Sequence, residues 1–216
     1  MTVEMKFKEY LERAMTYAEY VRLIDDLLIE GKTTGPKQSE SLFNFAKLNR
    51  QRMHRLEKTI ELRDDIVSAA RNAKKKVIWL ILTEGWCGDA AQNVPIIEKI
   101  AAESVNIETR YILRDENLDL MDQFLTNGAR SIPKLIALDA ETLSVVGRWG
   151  ARPAPAQELS RELKEQGIAK PLIMENLQRW YNVDKGQTIQ TEFLKLIEQG
   201  EGSEQGEGKQ VSAARV

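Results

Sequence analysis

The stretch "VIWLILTEGWCGDAAQNVP", residues 77–95, joins a continuous apolar run to a helical pattern and carries the single cysteine of the chain, Cys87, at the junction. Val77 to Thr83 has strand length and a β-branched, apolar composition, as a strand covered on both faces requires. From Cys87 onward Ala91, Val94, Ile97, Ile100 and Ala101 recur at three- and four-residue steps, which predicts a helix. Residues 105–113, "VNIETRYIL", then alternate as a second strand. Strand, helix, strand predicts a parallel pair with a right-handed crossover. A short helix at 118–126 leads to "NGARSIPKLIAL" (127–138), after which "DAET" turns the chain into "LSVVGRW" (143–149), an antiparallel hairpin.

Working outward, Phe7, Tyr10, Leu11, Ala14, Ala18, Val21, Ile24 and Leu28 form one apolar stripe, read as one helix that Gly31 and "KTTGP" end. Met53, Leu56, Ile60, Val67 and Ala70 predict a second helix. Residues 1–74 are therefore expected to be a helical N-terminal extension packed on the core. Beyond Gly150, "ARPAPAQELSRELKEQG" begins with two prolines, turns helical and closes at Gly167; further helical runs cover 172–181 and 188–198. The domain expected at 75–198 thus holds a helical insertion at about 153–187. Residues 199–216 are rich in Gly, Glu, Gln and Ser and are expected to be disordered.

Lys and Arg number 31 against 33 Asp and Glu, so no overall field recruits nucleic acid or an anionic membrane. The N-terminus lacks the apolar segment and cleavage site of a secretory signal, and no apolar run is long enough to span a bilayer, so a cytoplasmic protein is expected. One cysteine and one histidine exclude an internal disulfide and leave no Cys/His set for zinc; no metal or cofactor is expected. His54, on a charged helix, reads as solvated.

Trp86-Cys87-Gly88 after a buried strand, Pro95 inside the following helix, Ile132-Pro133 before a strand, and Gly150-Ala151 after the last strand sit at distances that resemble the thioredoxin superfamily, from about Val77 to Ala151. The resemblance implies an α/β thioredoxin-like fold, a central mixed sheet flanked by helices, here with helical N-terminal and C-terminal additions. It implies Cys87 as the catalytic nucleophile and a cis Ile132-Pro133 bond, with Ile132 pairing to a bound peptide as an added strand. Trp86, Gly88, Asp89, Ile132, Pro133 and Gly150 are the substrate-binding residues so implied. The "WCGDA" motif with a helical extension also looks like a bacterial, single-cysteine Trp-Cys-Gly-Asp branch of thioredoxin-like proteins.

A cysteine at a helix N-terminus meets free backbone N–H groups and the positive end of the macrodipole, which stabilise its thiolate and lower its pKa below ~8.5. Asp89 opposes this as a like charge, although a carboxylate in the first helical turn also suits the dipole. The sequence leaves the balance open, and Cys87 reads as either a buried small hydrophobe or a reactive thiol. The family's second cysteine is Ala90 here, which cannot resolve a mixed disulfide, and its buried acid six residues before the cysteine is Ile81. Two functions follow. One is a monothiol disulfide oxidoreductase that forms a mixed disulfide with protein thiols or disulfides, or with a low-molecular-weight thiol. The other is a redox-inactive binding module for a protein partner, using surface built by the extra helices. Peroxidase chemistry needs Thr and Arg around the sulfur, for which only Arg130 and Arg148, from elsewhere in the sheet region, are candidates.

Overall fold

Strand β1 (Val77–Thr83) lies inside a four-stranded sheet of order β2-β1-β3-β4. Its residues Trp79, Leu80, Ile81 and Leu82 are at most 1% exposed, which accounts for an apolar run without alternation. The computed structural model describes residues 3–202. β1 continues through helix α5 (Gly88–Ala102) into β2 (Ile107–Leu113), which pairs with it in parallel, Val77 opposite Ile107. A single-turn helix α6 (Leu118–Met121) precedes β3 (Lys134–Asp139), which runs antiparallel to β1 with Leu82 opposite Lys134. β4 (Val145–Gly150) closes the hairpin with β3. This is the mixed sheet flanked by helices that the resemblance implies.

The N-terminal segment departs from the two helices expected. Among the described residues it contains four: α1 (Val3–Arg13), α2 (Tyr17–Ile29), α3 (Glu40–Thr59) and α4 (Asp64–Asn72). The first break falls within a continuous apolar stripe. Met15 exchanges two 2.8 Å backbone hydrogen bonds with Tyr111 of β2. Thr16 and Glu19 form a reciprocal capping box that restarts the helix. The second break, at residues 60–63, carries no glycine or proline. Its backbone groups are taken up by side chains from other helices: Lys99 donates to the Ile60 carbonyl at 2.5 Å, and the Arg63 N–H donates to Gln190 at 2.8 Å. α3 also begins well before the expected helix, N-capped by Ser39.

After β4 come α7 (Ala154–Glu165), α8 (Lys170–Asp184) and α9 (Gln187–Gly202). The last extends past residue 198 into the stretch expected to be a disordered tail, and residues 203–216 lie outside the described residues. α9 packs on α4, α5 and β4, with Phe193 edge-on to Trp79 at 5.1 Å and to Trp149 at 5.4 Å. One hydrophobic core joins the sheet, α1 to α5 and α9. A second, small core of Ala156, Ile173 and Leu177 lies within the α7–α8 hairpin.

The end of β4 is fitted closely to the loop before β3. Gly150 has φ +115°, and a Cβ placed on it would stand 2.1 Å from the Pro133 carbonyl oxygen. Only glycine meets both conditions. Gly150→Ala is expected to lower stability by about 2–4 kcal/mol in urea unfolding; an unchanged midpoint would contradict this packing.

Candidate functional site

The segment between β1 and α5 is held from the N-terminal side. The Tyr20 hydroxyl of α2 lies 3.1 Å from the Thr83 hydroxyl at the end of β1, and its ring stacks on Tyr111 at 5.5 Å. The Gly85 N–H donates to the Thr34 hydroxyl at 2.9 Å, and the Gly85 carbonyl accepts from Asn49 of α3 at 3.1 Å. Arg52 donates to the same Asn49 side chain at 3.0 Å. Trp86, half-buried, lies under the Arg114 guanidinium, 5.0 Å from its ring centre.

Cys87 is the N-cap of α5. Its sulfur accepts from the Ala90 N–H at 3.5 Å, and its thiol donates to the Ile132 carbonyl at 3.2 Å. The side chain is buried, with 8% of the residue exposed. Burial pushes the thiol up to about 12, and the charge of Asp89 adds to the shift; the Ala90 and Asp89 backbone N–H groups and Arg152 pull the other way. The balance left open by the sequence is therefore decided by a third effect, desolvation, which outweighs the helix terminus.

Asp89 does not face open solvent. Its carboxylate forms an ion pair with Arg152 at 2.7 Å, the two side chains being 15% and 16% exposed, and accepts from the Tyr181 hydroxyl at 2.9 Å. Asn93 donates both to the Asp89 carbonyl at 2.7 Å and to the Tyr181 hydroxyl at 3.0 Å. Burial raises the Asp89 pKa, opposed by the adjacent guanidinium. Gly88, at the first turn, lies beside Arg52 and Asn49. The Ile132–Pro133 and Gly150–Ala151 peptides are both cis. Residues 86–89, 132–133 and 150 are thus drawn to one end of the sheet, around the sulfur.

The residues that complete this arrangement were not singled out in the sequence. Arg152 follows directly on Gly150-Ala151 and was open to notice; Tyr181 and Asn93 carry no local signal. Arg130 pairs instead with Asp122 at 2.6 Å, and Arg148 stands exposed on β4. His54 is exposed. Among the described residues no group of three or more His, Cys, Asp or Glu could hold a metal ion, and no helix is long and apolar enough to cross a membrane.

Fold and site together define a thioredoxin-like protein with one thiol. The chain belongs to the thioredoxin family, which it matches over residues 35–164, more than half its length. Among solved structures it is similar to a protein of unknown function from Pseudomonas aeruginosa, with 18% identity over 89% of this chain and 96% of that one and a TM-score of 0.61. It is also similar to an HIV epitope-scaffold, with 20% identity over 85% of this chain and 98% of that one and a TM-score of 0.51. At these identities the likeness is one of fold. No curated protein matches the chain.

Glu84, quoted with the motif but given no role in the sequence, is fully buried three residues before Cys87. It accepts from the Thr34 hydroxyl and from the Asp115 N–H, the latter at 2.9 Å. Burial lifts its pKa to about 7; the facing Asp115 carboxylate adds to this, and Thr34, the Asp115 N–H and Arg114 oppose it. The folded chain keeps this proton up to about pH 7, whereas an unfolded chain releases it near 4.5. Stability therefore falls as pH rises between those values, by up to about 3 kcal/mol. Glu84→Gln, which mimics the protonated acid, is expected to remove that loss and to exceed the wild type in stability above pH 7. Identical pH dependence of urea unfolding in the two proteins would rule out a neutral buried Glu84.

Proposed function

We propose that this protein is a thioredoxin-fold binding module for a protein partner, whose single cysteine is kept as a neutral thiol rather than turned over. The observation that carries this reading is the setting of Cys87, buried and donating to the Ile132 carbonyl, where burial pushes the thiol up to about 12. A thiolate is the nucleophile in disulfide exchange, and here it is disfavoured. Ala90 supplies no resolving sulfur. The partner surface proposed is the end of the sheet framed by Trp86, Gly88, Ile132, Pro133 and Gly150, enlarged by the flanking helices, and the Trp86-Cys87-Gly88-Asp89 sequence supports a place in a single-cysteine branch of the family.

A second reading, a monothiol oxidoreductase, is favoured by the sulfur's position at the N-cap of a long helix, where the Ala90 N–H points to it. In that cycle the Cys87 thiolate attacks a substrate disulfide, forms a mixed disulfide and expels one substrate thiolate. An external thiolate then attacks the mixed disulfide, returning Cys87 as thiolate and carrying away the other substrate sulfur as a new disulfide.

Incubation with oxidised glutathione near neutral pH, followed by intact-mass measurement, separates the two. The native chain is expected to remain unmodified while the urea-unfolded chain forms the adduct. Affinity capture with Cys87→Ser is expected to return the same proteins as the wild type. A glutathione adduct on the native chain, or loss of the captured proteins in Cys87→Ser, would overturn the binding reading.

A further inference from the structure

The α7–α8 hairpin is joined to the rest of the molecule differently from every other helix around the sheet. Its apolar residues Ala156, Ile173 and Leu177, with Leu159, Leu163, Ile168 and Trp180, pack on one another and form a core separate from the main one. Where α8 meets α5 the contacts are polar. Tyr181 donates to Asp89, Asn93 donates to Tyr181, and Gln92 donates to Gln178 at 3.0 Å. The Asp89–Arg152 ion pair fixes the start of α7 to the same turn of α5.

The seam is also incompletely filled. A cavity of about 440 Å³ runs between the end of α8 and the body, with Tyr181, Asp184 and Lys185 on one side and Ile60, Gln92 and Ile96 on the other. The Nε of Arg152, though buried, makes no protein hydrogen bond. The two ends of the hairpin are attached differently. Lys185 and Gly186, between α8 and α9, adopt positive φ of 51° and 76°. At the other end Glu192 of α9 accepts from the Trp149 indole at 2.6 Å and from the Ala154 N–H at 2.7 Å, pinning the first turn of α7 to the body.

We propose that the α7–α8 hairpin is a hinged cover over the first two turns of α5, and that Asp89, gripped by Arg152 and Tyr181, is its latch. The motif aspartate then serves to close the site rather than to take part in thiol chemistry. A unit with its own apolar core and a polar seam can leave the body without exposing the main core, which makes it a candidate for opening below the cost of global unfolding. Opening bares the Asp89 carboxylate, Gln92 and Asn93 beside Trp86 and Cys87. The inference stands apart from the binding reading: a reactive thiol would not change the exchange behaviour of the hairpin, and a rigid hairpin would not make the thiol reactive.

Amide hydrogen exchange on the full chain tests it. In the wild type, residues 154–184 are expected to exchange at least tenfold faster than β1 and α5, with little dependence on sub-denaturing urea. Arg152→Gln, which breaks the latch and leaves both hydrophobic cores intact, is expected to accelerate exchange in 154–184 a further tenfold or more while β1 is unchanged. Tyr181→Phe, which deletes one hydroxyl, gives a smaller acceleration at the same place and serves if Arg152→Gln does not fold. Exchange of the hairpin at the rate and urea dependence of β1, or acceleration spread evenly over the chain in the variants, would overturn the proposal.

Discussion

Desolvation at the start of α5 is the constraint on which the rest of this site depends. A thiol and a carboxylate two residues apart are both removed from water at a helix N-terminus. The carboxylate is compensated by a guanidinium and a phenol, so it can remain. The thiol receives a long bond from the Ala90 N–H, with the Asp89 N–H and Arg152 also favouring the thiolate, but burial outweighs these and the neutral thiol donates a hydrogen bond to the Ile132 carbonyl. The helix terminus that would activate a cysteine in an open site is present and outweighed.

The two sets of added helices act on this turn from opposite sides. From the N-terminal side Thr34, Asn49 and Tyr20 fix residues 83–85 through hydrogen bonds, with the buried Glu84 tying the 33–35 loop to the chain after β2. From the C-terminal side Arg152 and Tyr181 take Asp89. The N-terminal and C-terminal helical additions thus meet at the motif, and much of what surrounds the cysteine is built by residues outside the β1–β4 unit.

This division explains what could be read from the sequence. β1, α5, β2 and the β3–β4 hairpin were legible because each is set by local periodicity, and Ile132-Pro133 and Gly150 lie at the ends of those strands. The breaks at Thr16 and at residues 60–63 were hidden because the apolar stripe continues across them; the first had a readable capping box in Thr16 and Glu19, the second only distant partners, Lys99 and Gln190. The protonation of Cys87 was illegible for the same reason. It depends on how deeply the α5 terminus is buried and on Arg152, 65 positions away, and neither is written in the spacing around the cysteine.

The most direct test of a desolvated, protonated Cys87 is the pH dependence of its alkylation rate in the native protein. With the thiol near 12, the rate should climb steadily with pH and show no plateau while the fold persists. A plateau with a midpoint near or below pH 7 would mean that the helix terminus outweighs burial, and would contradict the account.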